Sequence, residues 1–101
     1  MTEHQDTPFE VMAYQDLLLS NGPHTVSAWV ECSGGQADSH LQLSEYSSLN
    51  TVQKVNACLS STSYQQVRAT VNVTTGRIRI GFYTLDRVGN NWLRVDDVSV
   101  Q

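Results

Sequence analysis

One stretch of strict two-residue alternation constrains this chain more than any other feature. From Tyr64 to Val73 the apolar residues Val67, Ala69, Val71 and Val73 alternate with Gln66, Arg68, Thr70 and Asn72. Successive side chains of a β-strand point to opposite faces, so this run reads as a strand with one buried side. Thr74-Thr75-Gly76 supplies a tight hairpin turn, and Arg77 to Thr84 answers it with Ile78, Ile80 and Phe82 in one phase. No window of the chain shows a convincing helical period.

Other segments repeat the pattern. Thr25 to Cys32 sets Val26, Ala28 and Val30 against Thr25, Ser27, Trp29 and Glu31, and His40 to Tyr46 sets Leu41 and Leu43 against His40, Gln42 and Ser44. Phe9 to Gln15 alternates loosely, Val52 to Leu59 is a weaker strand, and Trp92 to Val100 is the last. Turn-forming clusters separate them: Ser20-Asn21-Gly22-Pro23, Ser33-Gly34-Gly35-Gln36, Ser47-Ser48-Leu49-Asn50, Ser60-Ser61-Thr62-Ser63 and the Asp86 to Asn91 loop. Val, Ser and Thr make up almost a third of the chain, a mix that suits pleated surfaces. The pattern predicts an all-β protein, an antiparallel β-sandwich or jelly roll. Residues 1–8 read as a flexible lead-in and 9–101 as a single β-sandwich domain.

Composition removes several function classes. The chain carries a formal charge of -4 and one lysine, Lys54, which argues against nucleic-acid binding. No apolar run approaches the roughly 20 residues of a membrane span. The N-terminus is polar and acidic, without the pattern of a signal peptide. Catalysis has little support. His4, His24 and His40 are scattered, no Cys/His spacing suits zinc, and no nucleophile-elbow motif is present. Asp38-Ser39-His40 are neighbours in sequence, whereas triads assemble in space. Glu31 with Glu45 is the one faint carboxylate pair for glycoside hydrolysis. The chain therefore reads as a non-enzyme.

Cys32 and Cys58 enclose 25 residues. Cys32 shares the phase of core-facing Val30, whereas Cys58 opposes Val55, Ala57 and Leu59, so the two would meet only if a bulge reset one strand. Reduced thiols are the expectation.

Several short segments, taken in order, carry a resemblance. Tyr14-Gln15 with Leu17, Asn21-Gly22-Pro23, Ser27-Ala28-Trp29-Val30, Ser33-Gly34-Gly35-Gln36, Ile80-Gly81-Phe82-Tyr83 and Asn91-Trp92-Leu93-Arg94-Val95-Asp96-Asp97-Val98-Ser99 are similar to the β-jelly-roll carbohydrate-binding modules of galactanases and related plant-polysaccharide hydrolases. The resemblance covers roughly residues 8–100. It implies a galactose-binding-like fold and a non-catalytic module for a β-linked plant polysaccharide such as galactan. The alternative is a small stand-alone β protein derived from such a module, acting through an oligomer or protein-partner interface. Such modules are longer, so this chain looks short by two or three strands. An uncovered sheet edge and core patch follow, and with them a homodimer completed by strand exchange or sheet packing.

Sugar rings present an apolar C–H face and a rim of hydroxyls, so a binding surface needs an exposed aromatic plane beside planar hydrogen-bonding groups. Trp29, Arg68, Asn72, Arg79 and Tyr83 occupy the non-core phase of their strands and are candidates for it. Gln36, beside the Gly34-Gly35 turn, and Trp92, after Asn90-Asn91, complete the candidate set. Trp29 could equally pack in a second layer, Trp92 could cap the core, and the two glycines could serve only the turn. Tyr46 and Tyr64 stand at strand ends as loop staples. Asp96 and Asp97 point to opposite faces if the strand is regular, leaving one inward and in need of a partner such as Arg94 or a cation. In the modules it resembles, the terminal Asp pair often holds a structural calcium with an N-terminal segment that is absent here, so calcium is not the expectation and Asp97 is the one candidate ligand. No other cofactor is expected.

Overall fold

The computed structural model describes residues 1–45 and 50–101. Eight strands follow one another along the chain: β1 (Thr2–His4), β2 (Phe9–Leu18), β3 (Gly22–Cys32), β4 (Asp38–Glu45), β5 (Thr51–Asn56), β6 (Gln65–Val73), β7 (Arg77–Asp86) and β8 (Trp92–Val100). They form two antiparallel sheets of four, in the orders β1-β8-β3-β6 and β2-β7-β4-β5. These are called the β3 sheet and the β7 sheet below. Tyr46 and the Ser47 to Leu49 part of the expected loop lie outside the described residues.

The alternating strands turn one face inward. Val26, Ala28 and Val30 of β3, with Val67, Ala69, Val71 and Val73 of β6 and Leu93 and Val95 of β8, form one side of the core. Leu41 and Leu43 of β4 and Ile78, Ile80 and Phe82 of β7 form the other. From Gln66 to Val73 the burial of β6 alternates strictly, as its sequence predicts. Paired inner faces of this kind define a β-sandwich.

Four expectations change. The lead-in at residues 1–8 contains β1, which pairs with Trp92 to Arg94 of β8. Polar anchors hold it: the Met1 amino group donates to Val95 O (2.9 Å), and the buried Glu3 carboxylate accepts from Thr84 Oγ1 (2.8 Å) and from Ala13 N–H (3.3 Å). Hydrophobic alternation does not register such anchors. Burial raises the Glu3 pKa above the usual carboxylate range, against the opposing effect of the Thr84 and Ala13 hydrogen bonds.

The cysteines are bridged, Cys32 to Cys58, with Cα atoms 5.3 Å apart. Strand phase fails as a guide because β5 ends at Asn56. The Asn56 side chain accepts from Cys58 N–H (3.0 Å), an Asx turn that redirects the chain so that Ala57 and Cys58 need not face oppositely.

Asp96 and Asp97 are both exposed. The register of β3 against β8 shifts between Ser27 and Trp29, and Asp97 takes a left-handed conformation (φ 50°) with its N–H bound by Asp96 Oδ1. A bulge thus spares either carboxylate an inward position. Arg94 pairs instead with Glu31 (3.3 Å).

Glu31 and Glu45 do not lie on adjoining strands, because β3 and β4 belong to different sheets. Ser39 points inward to Thr84 (3.0 Å) while His40 lies on the opposite face of β4. No hydrolytic geometry forms from either set.

The uncovered edge does appear. β1 pairs with Trp92 to Arg94 and Met1 exchanges backbone hydrogen bonds with Val95, while among the described residues no strand lies on that side of β8 beyond the bulge. A groove of about 520 Å³ opens there between the sheets, lined by Leu17, Ile80, Phe82, Val95, Val98 and Val100 among others.

Candidate functional site

A polar network fixes the end of the sandwich where β3, β4, β7 and β8 meet. Asp86, fully buried, accepts from the N–H groups of Val88, Gly89 and Asn91 and from Asn91 Nδ2, all at 3.0 Å. Asn91 Oδ1 in turn lies 2.7 Å from the Ser33 hydroxyl. Gln36 Nε2 donates to Ser39 Oγ and to Trp92 O (both 3.1 Å), and Gly34 N–H donates to Gln36 Oε1 (3.0 Å). A Cβ at Gly35 would stand 2.5 Å from Asn91 Oδ1, so the close approach that this glycine permits is to Asn91. Gln36, half-buried, is therefore a brace that ties its loop to β4 and β8.

Burial opposes ionisation of Asp86, but its hydrogen bonds from Asn91, Val88 and Gly89 outweigh this and lower the pKa from 3.8 to about 2. A carboxylate depressed on folding contributes stability above its unfolded pKa, and that contribution is lost as pH falls from 3.8 toward 2. The Asp86→Asn variant is accordingly expected to melt below the parent at pH 6, with the gap narrowing on acidification through this window. Thermal melts from pH 6 to 2 check this, and a pH-independent gap contradicts it.

The outer face of the β7 sheet carries the densest group of aromatic and planar polar side chains. Cross-strand register sets Met12, Tyr83, His40 and Asn56 in one row, Tyr14, Gly81, Gln42 and Lys54 in the next, and Asp16, Arg79 and Ser44 in a third. Arg79 binds Asp16 through two contacts of 2.7 and 3.0 Å, and its guanidinium lies 3.9 Å from the Tyr14 ring centroid. The Arg79 hydrogen bond lowers the Asp16 pKa. Tyr14 nevertheless remains 57% exposed, so its ring is both held and accessible.

In the neighbouring row the His40 and Tyr83 rings pack 4.8 Å apart. The Tyr83 hydroxyl donates to the Glu10 carboxylate, and this bond, with burial, pushes its pKa up to about 12. Tyr83 thus stays protonated at any physiological pH. Along β4, His40 contacts Asp38 and Gln42 (both 3.1 Å), and Gln42 donates to Ser44 (3.2 Å). Gly81 has no side chain at the centre of the face, and the flexible Met12 thioether lies over it.

The opposite outer face belongs to the β3 sheet. Trp29 is 41% exposed there and pairs across to Gln66 on β6 and Asp96 on β8. It does not pack in a second layer. Arg68 Nε donates to Gln66 Oε1 (3.2 Å), and Asn72 is exposed further along β6. Trp92, half-buried at the start of β8, lies beneath the Arg94 guanidinium, 4.4 Å from its ring.

The seven residues expected to share a site are therefore divided. Trp29, Arg68, Asn72 and Trp92 lie on the β3 sheet, Arg79 and Tyr83 lie on the outer face of the β7 sheet, and Gln36 lies in a loop. A sandwich has two outward faces, and strand phase alone cannot tell them apart. Asp97 stands exposed at its bulge, and among the described residues no three His, Cys, Asp or Glu side chains converge to hold a metal ion.

No family model and no curated protein sequence matches the chain. Solved structures do. TmCBM61, determined in complex with β-1,4-galactotriose, superposes with a TM-score of 0.73 at 23% identity, over 99% of this chain and 68% of that one. A CBM4 structure gives 0.66 at 16% identity, over 89% of this chain and 72% of that one. A family 16 carbohydrate-binding module gives 0.65 at 10% identity, over 99% and 74%. The fold is the β-jelly roll of carbohydrate-binding modules.

Within this jelly roll, Tyr14, Asp16, His40 and Gln42 join Arg79 and Tyr83 on one face. Their signal was present as the outward phase of β2 and β4. The loose alternation of β2 hides it, because its inward positions include the exposed Gln15.

Proposed function

We propose that the chain is a non-catalytic carbohydrate-binding module for a β-linked plant polysaccharide such as galactan, taken on the outer face of the β7 sheet. The observation that carries this is the Tyr14–Arg79–Asp16 unit beside the Tyr83–His40 pair. Aromatic rings there stand next to planar groups already held by their own hydrogen bonds. A pyranose can lay its C–H face on such a ring while its hydroxyls meet directed donors and acceptors. Prior ordering also limits the entropy lost on binding. The structural neighbour solved with β-1,4-galactotriose supports the choice of galactan.

Affinity electrophoresis through gels containing β-1,4-galactan, xylan, mannan or mixed-linkage β-glucan tests this. Retardation by galactan is expected, and free migration through all four gels would end the proposal.

Self-association is proposed as well, and it replaces the alternative of a separate protein-partner role. The unpaired β8 edge and the apolar groove beside it support pairing with a second copy. Light scattering is expected to give about twice the 11.2 kDa of one chain, whereas a monomer at all concentrations would contradict it.

A further inference from the structure

We infer that the outer face of the β3 sheet is a second glycan platform, so that one chain grips two polysaccharide strands on opposite sides of the sandwich. This rests on the proposed carbohydrate binding for the class of ligand, and on its own geometry for the site.

Trp29 is the anchor. It is central to its sheet, on a strand paired on both sides, yet 41% exposed. A Trp of this kind on a folded surface leaves part of a large apolar plane open to solvent. Its surroundings are planar and polar. Gln66 lies directly across on β6, and its Oε1 holds the Arg68 guanidinium at 3.2 Å. On the other side, Arg94 of β8 pairs with Glu31 of β3 at 3.3 Å and covers Trp92 at 4.4 Å. Trp92 and the Trp29-paired position on β8, Asp96, are four residues apart, so the strip from Trp29 to Trp92 runs about 14 Å at the usual rise of a strand. That length suits a short run of sugar rings lying along the strands.

Charge sharpens the choice of ligand. Arg68 and Arg94 are met by Glu31, Asp96 and the outward-turned Asp97 on the same sheet, so the strip offers hydrogen bonds without a net positive field. A nucleic acid or an anionic surface requires a net positive strip, whereas a neutral glycan does not. The two faces belong to different sheets and share no residue, so occupancy of one leaves the other free.

The consequence is cross-linking. Calorimetry with a β-1,4-galactan oligosaccharide is expected to give about two ligands per chain, and long-chain galactan is expected to precipitate with the protein through multivalent bridging. Trp29→Ala is expected to reduce the stoichiometry to about one per chain and to weaken precipitation to what a dimer with one site per chain supports, with Trp29→Phe falling between the two because a smaller plane remains. The Tyr14→Ala/Arg79→Ala double variant is expected to show the same single stoichiometry through the other face. Melting curves of the variants confirm folding.

A parent stoichiometry of one, unchanged by Trp29→Ala, overturns the second platform and leaves binding at the β7 sheet intact. Binding lost in Trp29→Ala but unaffected in the double variant also overturns it, since a single site would then lie on the β3 sheet. Absence of any binding removes both proposals. Loss of a dimer in Trp29→Ala, without change in stoichiometry, identifies the face as a contact between copies and overturns the platform too.

Discussion

Reduction of the Cys32–Cys58 bridge is expected to cost about 3.5 kcal/mol of stability, the closure entropy of a loop of 26 residues. Cys32 ends β3 in one sheet, while Cys58 follows β5 at the edge of the other. The bond therefore ties the two sheets covalently at one side of the sandwich. The exit from β5 depends on this tie more than most segments do, because β5 exposes nearly every residue and buries little apolar surface of its own. Cys32 also donates its N–H to Ser60 O (3.0 Å), a contact that the bridge holds in register. For a domain of this size each kcal/mol is worth roughly 4–8 °C, so the melting temperature is expected to fall by about 15–25 °C. Calorimetry with and without reductant, alongside the Cys32→Ala/Cys58→Ala variant, reads this directly. A fall of only a few degrees would mean that the contacts of β5 with β4 and β6 hold it without the bridge.

This bridge also marks a limit on what strand phase can convey. Alternation makes β3, β6 and β7 legible because each buries a run of at least four residues on one face, and a slip of one residue would expose that inner row. The jelly roll, with its short strands and turn clusters, follows from the same periodicity. Features set by irregular backbone do not. The Asx turn at Asn56 brings Cys58 to Cys32, and the left-handed Asp97 turns both terminal carboxylates outward. β1 escapes notice because a buried carboxylate and an amino group anchor it in place of apolar residues.

The candidate site was legible in part. Phase places Arg79, Tyr83, Trp29 and Arg68 outward, as the structure does, but says nothing of which sheet each strand joins. That assignment separates β3 and β6 from β7, and with it the expected site into two faces. Gln36 stands apart from both faces for a different reason: a polar residue beside two glycines resembles a ligand contact, and here Gly35 makes room for Asn91 while Gln36 ties the loop to β4 and β8.

The second large effect concerns binding at the β7 sheet. Replacing Arg79 with Ala removes two hydrogen bonds to Asp16 and the cation held over Tyr14. The pair is partly exposed and screened by solvent, so its loss is expected to leave the melting temperature nearly unchanged. Binding is expected to respond far more. A directed, charge-assisted donor is lost, and Tyr14 is left free to rotate away from the face. Affinity for β-1,4-galactan is expected to fall about 10- to 100-fold, in keeping with the loss of a hydrogen bond to a charged group. Tyr14→Ala removes the exposed plane itself and is expected to act in the same direction. Tyr83→Phe is informative in a different way, since it deletes the hydroxyl bound to Glu10 but keeps the ring against His40. Its effect is expected to be smaller than that of either alanine variant. Titration calorimetry and melting curves on the same samples separate lost affinity from lost folding. Equal affinities for the parent and Arg79→Ala would remove Arg79 from the site.

The central claim is that the outer face of the β7 sheet receives the glycan. Backbone amide shifts recorded while a β-1,4-galactan oligosaccharide is titrated into the labelled protein test it most directly. The account predicts saturable shifts at Tyr14, Gln42, Gly81 and Tyr83, which the register brings side by side. Shifts absent from all four, whether or not residues elsewhere respond, would contradict it.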